Sequence, residues 1–284
     1  MKLTFWGTRG SIPSPSTPEV PTHVYGGDTT CVSVAWGKDD LLVIDAGSGL
    51  RQAGRHWIQS QRKSLTFLFT HAHWDHLQGF PFFAPAFSED VSIHIYSPRL
   101  PDAPAGNLIE RALHAQQSEP FFPAGFPQLR AKISFSEINP EKPVQLSSPA
   151  GELRIQSVPV SHPGGCLAYR LDHAQRSLVF ATDNEPLPSP ESPLVKMATG
   201  VDLLICDGQY NNAEHQLRKG WGHGTPDLCL QEAVFARVRR LIITHFDPSH
   251  SDSTLLGMEE EIKKSPSAQT VPVSFARQGQ TMDC

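Results

Sequence analysis

The chain has 284 residues, 39% hydrophobic and 19% charged, enough apolar material to bury a core without a disulfide staple and too much for intrinsic disorder. With 24 basic and 29 acidic residues its net charge is −5, which argues against a broad basic groove and makes long nucleic acid an unexpected partner. No apolar run approaches the roughly 20 residues of a membrane span, the N-terminus lacks a signal-peptide core, and Cys31, Cys166, Cys206, Cys229 and Cys284 form no C-x-x-C pair, so a cytoplasmic protein with no membrane contact is expected.

In chain order, Lys2–Trp6, Thr30–Trp36 and Leu41–Asp45 read as strands bounded by Gly, Pro and Asp. A helical stretch covers Gln52–Gln61. Leu65–Thr70 is a continuous apolar run of the kind found in a strand buried on both faces, and Val91–Tyr96 repeats it. From Arg99 to Leu129, prolines, the amphipathic piece Leu108–Gln116 and the cluster Phe121-Phe122-Pro123 predict an insertion over residues 99–130, either a lid or a contact surface. Strands resume at Ala131–Ser136, Glu152–Val160, Cys166–Leu171, Ser177–Ala181 and Asp202–Cys206. A helix over Pro226–Val238, capped by Thr225 or Asp227, leads to a strand at Leu241–Thr244, a helix at Thr254–Lys264 and a last strand at Thr270–Phe275. No repeat and no low-complexity linker interrupts this order, so residues 1–284 are expected to form one α/β domain with a sheet-on-sheet core and helices outside.

Histidine is the unusual component, with 13 in the chain, unevenly spread. His71-Ala72-His73-Trp74-Asp75-His76 follows directly on a buried strand. In extended backbone His71 and His73 share a face and Asp75 continues the row, whereas a turn at Asp75 re-aims His76. Imidazole and carboxylate are ligands for borderline metals, and this many in one segment exceed the about three protein ligands of a single open catalytic site, so two metals fit better. Further ligands are expected where other strands end: His162, Asp183 and His245, with His250 and Asp207 as rivals for the last two.

The H-x-H-x-D-H motif followed by His, Asp and His, each after a strand, resembles the metallo-β-lactamase-fold hydrolases across nearly the whole chain. Gly7-Thr8-Arg9-Gly10-Ser11-Ile12-Pro13, Tyr25-Gly26-Gly27-Asp28-Thr29-Thr30, Leu42–Gly49 and Gly222-His223-Gly224-Thr225 resemble its phosphodiesterase branch, which includes ribonuclease Z and cyclic phosphodiesterases. The resemblance implies a four-layer αβ/βα sandwich and two divalent metal ions, Zn²⁺ first, with Mn²⁺ or Fe²⁺ also suited to these ligands. His71, His73 and His162 would hold one ion, Asp75, His76 and His245 the other, and Asp183 would bridge them. It also implies a homodimer. His223 becomes the general acid, although Gly224 stands where the motif usually has Ser or Thr.

The expected activity is hydrolysis of a small phosphodiester, a cyclic nucleotide among them. Two ions about 3.5–4 Å apart activate a bridging water for in-line attack, Asp75 orients it, and His223 protonates the leaving oxygen. Asp45, at a strand end, is expected to fix the metal loop. Arg9 is the expected phosphate ligand. Tyr25 is expected to line the substrate pocket; Phe80, Phe82, Phe83, Phe121 and Phe122 offer an apolar or base-stacking wall, with core and lid packing the weightier reading for most of them and for Trp221, which would otherwise close the site. The alternatives are a thioester or lactone hydrolase of the same fold, a tRNA 3′-processing endonuclease, and a metal-filled binding protein without catalysis.

Overall fold

In the computed structural model, which describes residues 1–99 and 106–284, the first half of the chain runs β1 (Lys2–Gly7), β2 (Cys31–Ala35), β3 (Leu41–Ile44), α1 (Leu50–Gln59), β4 (Ser64–Leu68), β5 (Ser92–Pro98), α2 (Leu108–Gln116) and β6 (Lys132–Ile138). The second half runs β7 (Val144–Ser148), β8 (Gly151–Val160), β9 (Cys166–His173), β10 (Arg176–Ala181), α3 (Pro193–Met197), β11 (Leu203–Asp207), α4 (Asn212–Leu217), α5 (Pro226–Phe235), β12 (Leu241–Thr244), α6 (Asp252–Lys264), α7 (Pro266–Thr270), β13 (Val273–Phe275) and β14 (Thr281–Asp283). These build two seven-stranded sheets, ordered β14-β1-β2-β3-β4-β5-β6 and β13-β12-β11-β10-β9-β8-β7. β3 to β6 run parallel in the first sheet and β10 to β13 in the second, while the remaining pairings are antiparallel.

Strand alternation produces the layers. Leu42, Ile44 and Leu68 of the first sheet meet Leu178, Phe180, Ile205 and Ile242 of the second in one apolar layer between the sheets. Val43, Leu65 and Phe67 point the other way, onto Leu50 and Trp57 of α1 and Ile109 and Leu113 of α2. On the opposite side Val179, Leu204 and Ile243 pack under Leu230 of α5 and Leu255 and Ile262 of α6. A strand that buries both faces has no polar alternate position, which is why LTFLF and LIIT read as unbroken apolar runs. The result is the expected four-layer αβ/βα sandwich.

Local chemistry sets several boundaries. Thr225 Oγ1 accepts the Leu228 N–H, and Pro226 stands at the first helical position, so α5 starts there. It ends at Phe235, short of the expected Val238, with Arg237 in left-handed backbone (φ 53). The strand expected over Thr270–Phe275 covers only Val273–Phe275, because Thr270 closes α7. β7, β14, α3, α4 and α7 were not expected; β7 and β14 are sheet-edge strands with no fully buried position. Residues 100–105 of the expected 99–130 insertion lie outside the described residues. Beyond them α2 packs on β5, and Gln116 Nε2 donates to Leu77 O (3.0 Å), tying the segment to the metal loop. Among the described residues no helix is long and apolar enough to cross a membrane.

Candidate metal centre

The candidate ligands all leave carboxyl ends of strands, and the parallel runs of both sheets bring those ends to one rim. His71 to His76 follow β4, His162 follows β8, Asp183 follows β10, and His245 follows β12. Asp45, Asp183 and His245 all adopt left-handed backbone, with φ of 59, 57 and 62. Such a conformation costs a non-glycine residue about 1–3 kcal/mol, and here it turns each side chain off its strand into the cleft.

Four overlapping groups of donors form among the described residues; one joins His71, His76 and Asp183, another Asp183, Asp207, His223 and His245, and the remaining two share no residue. His71, His73 and His162 make one, with His162 Nε2 and His73 Nδ1 2.9 Å apart. Asp75, His76 and His245 make the other, with Asp75 Oδ2 3.4 Å from both His76 Nε2 and His245 Nε2. Asp183 stands between them. Its Oδ2 lies 3.1 Å from His76 Nε2 and 3.2 Å from His245 Nε2, and its Oδ1 lies 3.8 Å from both His71 Nε2 and His162 Nε2.

Apart from the His162–His73 pair, these contacts are not satisfied hydrogen bonds. The Nε2 atoms of His71, His76 and His245 and Oδ2 of Asp183 are buried without a partner. Leaving converging polar atoms so placed is costly unless a cation draws on their lone pairs. The set of imidazole and carboxylate donors, aimed at common points by their other ring nitrogens, therefore fits divalent metal ions.

The aiming is done by a surrounding layer of hydrogen bonds. Asp45, fully buried, accepts the Thr70 N–H (2.8 Å) and Thr70 Oγ1–H (2.9 Å), and its Oδ2 lies 2.8 Å from His76 Nδ1. This is the loop-fixing contact expected of it. His162 Nδ1 is 3.0 Å from Gly222 O, and His245 Nδ1 is 3.1 Å from Gln209 Oε1. The Ser11 N–H donates to Asp75 Oδ2 (2.8 Å). Gly10 leaves room for this arrangement, since any Cβ there would overlap the His245 ring and the Gln209 amide. Gln209, Ser11 and Gly222 were not singled out as positioning groups; the partners they hold are distant in sequence.

The electrostatics divide the histidines. Burial pushes His71, His73 and His162 below the ordinary imidazole range, keeping them neutral, as ligation requires. Burial also opposes charge on His76 and His245, but Asp183 outweighs it, helped by Asp75 at His76 and by Asp207 and Asp75 at His245; His76 is raised and His245 reaches about 9.

His223 sits at the edge of this centre, its ring 5.3 Å from that of His245 and 5.2 Å from that of His162. Its Nδ1 is 2.6 Å from Asp207 Oδ2. Burial lowers the charge preference of the ring, yet the Asp207 carboxylate more than compensates, so its pKa is raised. Asp207 also accepts the Asp183 N–H (3.0 Å) and the Gln209 N–H (2.9 Å), which makes it a positioning group rather than a rival of Asp183. His250, the rival of His245, bonds Glu214 through Nε2 at 3.0 Å and takes no part in these groups.

Two sequence expectations are corrected. Arg9 is fully buried, and its guanidinium donates to the carbonyls of Gly26 (2.7 Å), Asp247 (2.9 Å) and His250 (2.7 Å), so it clamps loops together instead of reaching a phosphate. Tyr25 is also fully buried; its hydroxyl donates to Glu259 (2.7 Å) and its ring packs on Phe246 and Phe275. It belongs to the core under α6 and not to a substrate pocket. Phe80 and Phe83 are likewise core, whereas Phe82, Phe121 and Phe122 line an open groove.

Known proteins resemble this chain in sequence and in fold. The family description "Beta-lactamase superfamily domain" matches residues 41–246. Ribonuclease Z of Prochlorococcus marinus (strain NATL1A) is 22% identical over 307 aligned positions, covering 88% of this chain and 89% of the relative. The fold of the metallo-beta-lactamase fold protein YhfI from Bacillus subtilis superposes with a TM-score of 0.69 at 18% identity, covering 99% of this chain and 98% of that one. A diphosphatase from the PhnP family superposes with a TM-score of 0.68 at 17% identity, covering 100% of this chain and 97% of that one. The chain belongs to the beta-lactamase superfamily domain family, in its ribonuclease Z-like branch, and is a metal-dependent hydrolase.

Proposed function

We propose that the protein hydrolyses a small phosphodiester at a centre of two divalent ions. The observation that carries this reading is Asp183, whose two carboxylate oxygens face separate histidine groups while Nε2 of His71, His76 and His245 lack other partners. His71, His73 and His162 would hold one ion and Asp75, His76 and His245 the other, with Asp183 shared. When bound, such ions supply an activated water and neutralise charge on the phosphoryl oxygens.

The protein's own groups supply the rest. Asp75, tethered by the Ser11 N–H, presents a fixed carboxylate at the reaction face. His223 is held by Asp207 through Nδ1, which leaves Nε2 for a substrate oxygen, and the Asp207 carboxylate raises its pKa against the effect of burial, favouring the protonated ring. A leaving alkoxide needs that proton; a thiolate leaves more easily without it, so the His223–Asp207 pair favours the diester over a thioester.

A ribonuclease reading is the second, favoured by the ribonuclease Z likeness over 88% of the chain and opposed by the net charge of −5. The test is a panel of bis-p-nitrophenyl phosphate, 3′,5′- and 2′,3′-cyclic nucleotides, a precursor tRNA and a glutathione thioester. Preferential turnover of the small diesters is expected; exclusive cleavage of the precursor tRNA or of the thioester would overturn the proposal.

A further inference from the structure

Between the metal loop and the segment after β5 runs a groove of about 660 Å³. Its floor is the same stretch that carries the candidate ligands: Ala72 and Trp74 alternate with His71, His73 and Asp75, and Gln78 follows. Its far wall is Gln116 of α2 with Phe121 and Phe122, and Phe82 closes the end. The aromatic rings are presented to solvent, with Trp74 60%, Phe82 56% and Phe121 78% exposed. Phe82 and Phe122 meet edge to face at 5.6 Å. Clustered exposed aromatics are a poor arrangement for a surface that binds nothing.

We propose that this groove receives a planar aromatic group, a nucleobase or an aryl ring, on the alcohol that stays with phosphorus. The inference rests on the phosphodiesterase reading of the neighbouring centre. Three observations support it. The groove and the candidate centre share one segment, with Trp74 of the groove flanked by His73 and Asp75, so the two lie within a residue of each other along the chain. Among the described residues its lining carries no charged side chain, which suits an uncharged ring and not a second phosphate or a peptide terminus. His223 lies on the second-sheet side of the centre, beside His245, so the departing oxygen belongs there and the retained alcohol belongs on the Trp74 side. The volume matches one nucleoside-sized group, and stacking on exposed rings discriminates flat from aliphatic substituents.

The test holds the leaving group constant as p-nitrophenolate and varies the retained alcohol through methyl, phenyl, 1-naphthyl and thymidine 5′ esters. The expected result is that kcat/KM rises about tenfold from methyl to naphthyl or thymidine, mainly through KM. Phe121→Ala, remote from the ligands, should collapse that naphthyl-to-methyl ratio towards unity, and Trp74→Ala should do the same. A flat series, or a ratio that survives both substitutions, overturns the inference. So does dissociation of a dimer on Phe121→Ala in sedimentation, since the groove would then be covered by a second copy. Calorimetric binding of 1-naphthyl phosphonate against methyl phosphonate needs no turnover. Tighter naphthyl binding with no diester hydrolysed would sink the phosphodiesterase reading and leave the groove's specificity standing, and equal binding would sink the groove.

Discussion

His223→Ala is the substitution that separates proton donation from metal chemistry. The ring is nearly enclosed, with 11% of its side chain exposed, and its Nδ1 lies 2.6 Å from Asp207. Deleting it removes an imidazole that belongs to neither proposed ligand set, although it stands within reach of Asp183, Asp207 and His245, and leaves Asp207 with the Asp183 and Gln209 N–H groups. The metal donors should therefore survive. A positioned general acid contributes about 10²–10⁴ in rate, or roughly 3–5 kcal/mol of barrier, but only where the leaving oxygen is basic enough to need the proton. With p-nitrophenolate the loss should stay below about tenfold; with an alkoxide leaving group it should reach about a hundredfold or more. The assay compares kcat for a p-nitrophenyl and an alkyl diester in both proteins at matched metal loading. Because Asp207 raises the His223 pKa, wild-type turnover of the alkyl diester should fall as pH climbs through that raised value, and the substitution should abolish this limb. Equal losses on both substrates, or an unchanged alkaline limb, would refute the general-acid role.

Other perturbations follow from the same contacts. Asp183→Asn removes the carboxylate that faces both groups, so metal analysis should show at least one site emptied, and retention of full loading would contradict the bridging role. Asp45→Ala frees His76 Nδ1 and the Thr70 N–H, and metal affinity measured against a competing chelator should weaken about 10–100-fold. Glu232 of α5 is buried, its Oε2 has no partner, and burial raises its pKa to about 7. A raised carboxyl adds stability below its unfolded value and loses it as pH rises to the folded one, a swing of about 3 kcal/mol between pH 4.5 and 7. Glu232→Gln should thus gain Tm over the wild type by several degrees more at pH 8 than at pH 5, and equal differences at the two values would refute the assignment.

The candidate metal donors were legible because their chemistry is local. Four polar residues within His71–His76 after a mostly apolar strand have no packing role, and His162, Asp183 and His245 each follow a strand readable from its apolar run. Asp45 was legible for the same reason. The supporting contacts were not, because they depend on chain closure: His245 is oriented by Gln209, 36 residues away, and His162 by Gly222, 60 residues away. Arg9 and Tyr25 show the complementary error. Both lie in glycine-rich segments that resemble substrate loops, but sequence does not reveal whether a side chain turns inward. Arg9 meets backbone carbonyls of Asp247 and His250, and Tyr25 meets Glu259, from the far end of the chain. The edge strands β7 and β14 escaped because one-sided contact leaves too weak an apolar pattern.

The central claim is that two cations, held by the donors around Asp183, are what make this cleft hydrolyse a phosphodiester. Stepwise addition of Zn²⁺ to the demetallated protein, following bis-p-nitrophenyl phosphate hydrolysis and bound metal together, tests it directly. Activity should rise to a plateau at about two equivalents per chain. Full loading without hydrolysis, or hydrolysis undiminished in the metal-free protein, would contradict it.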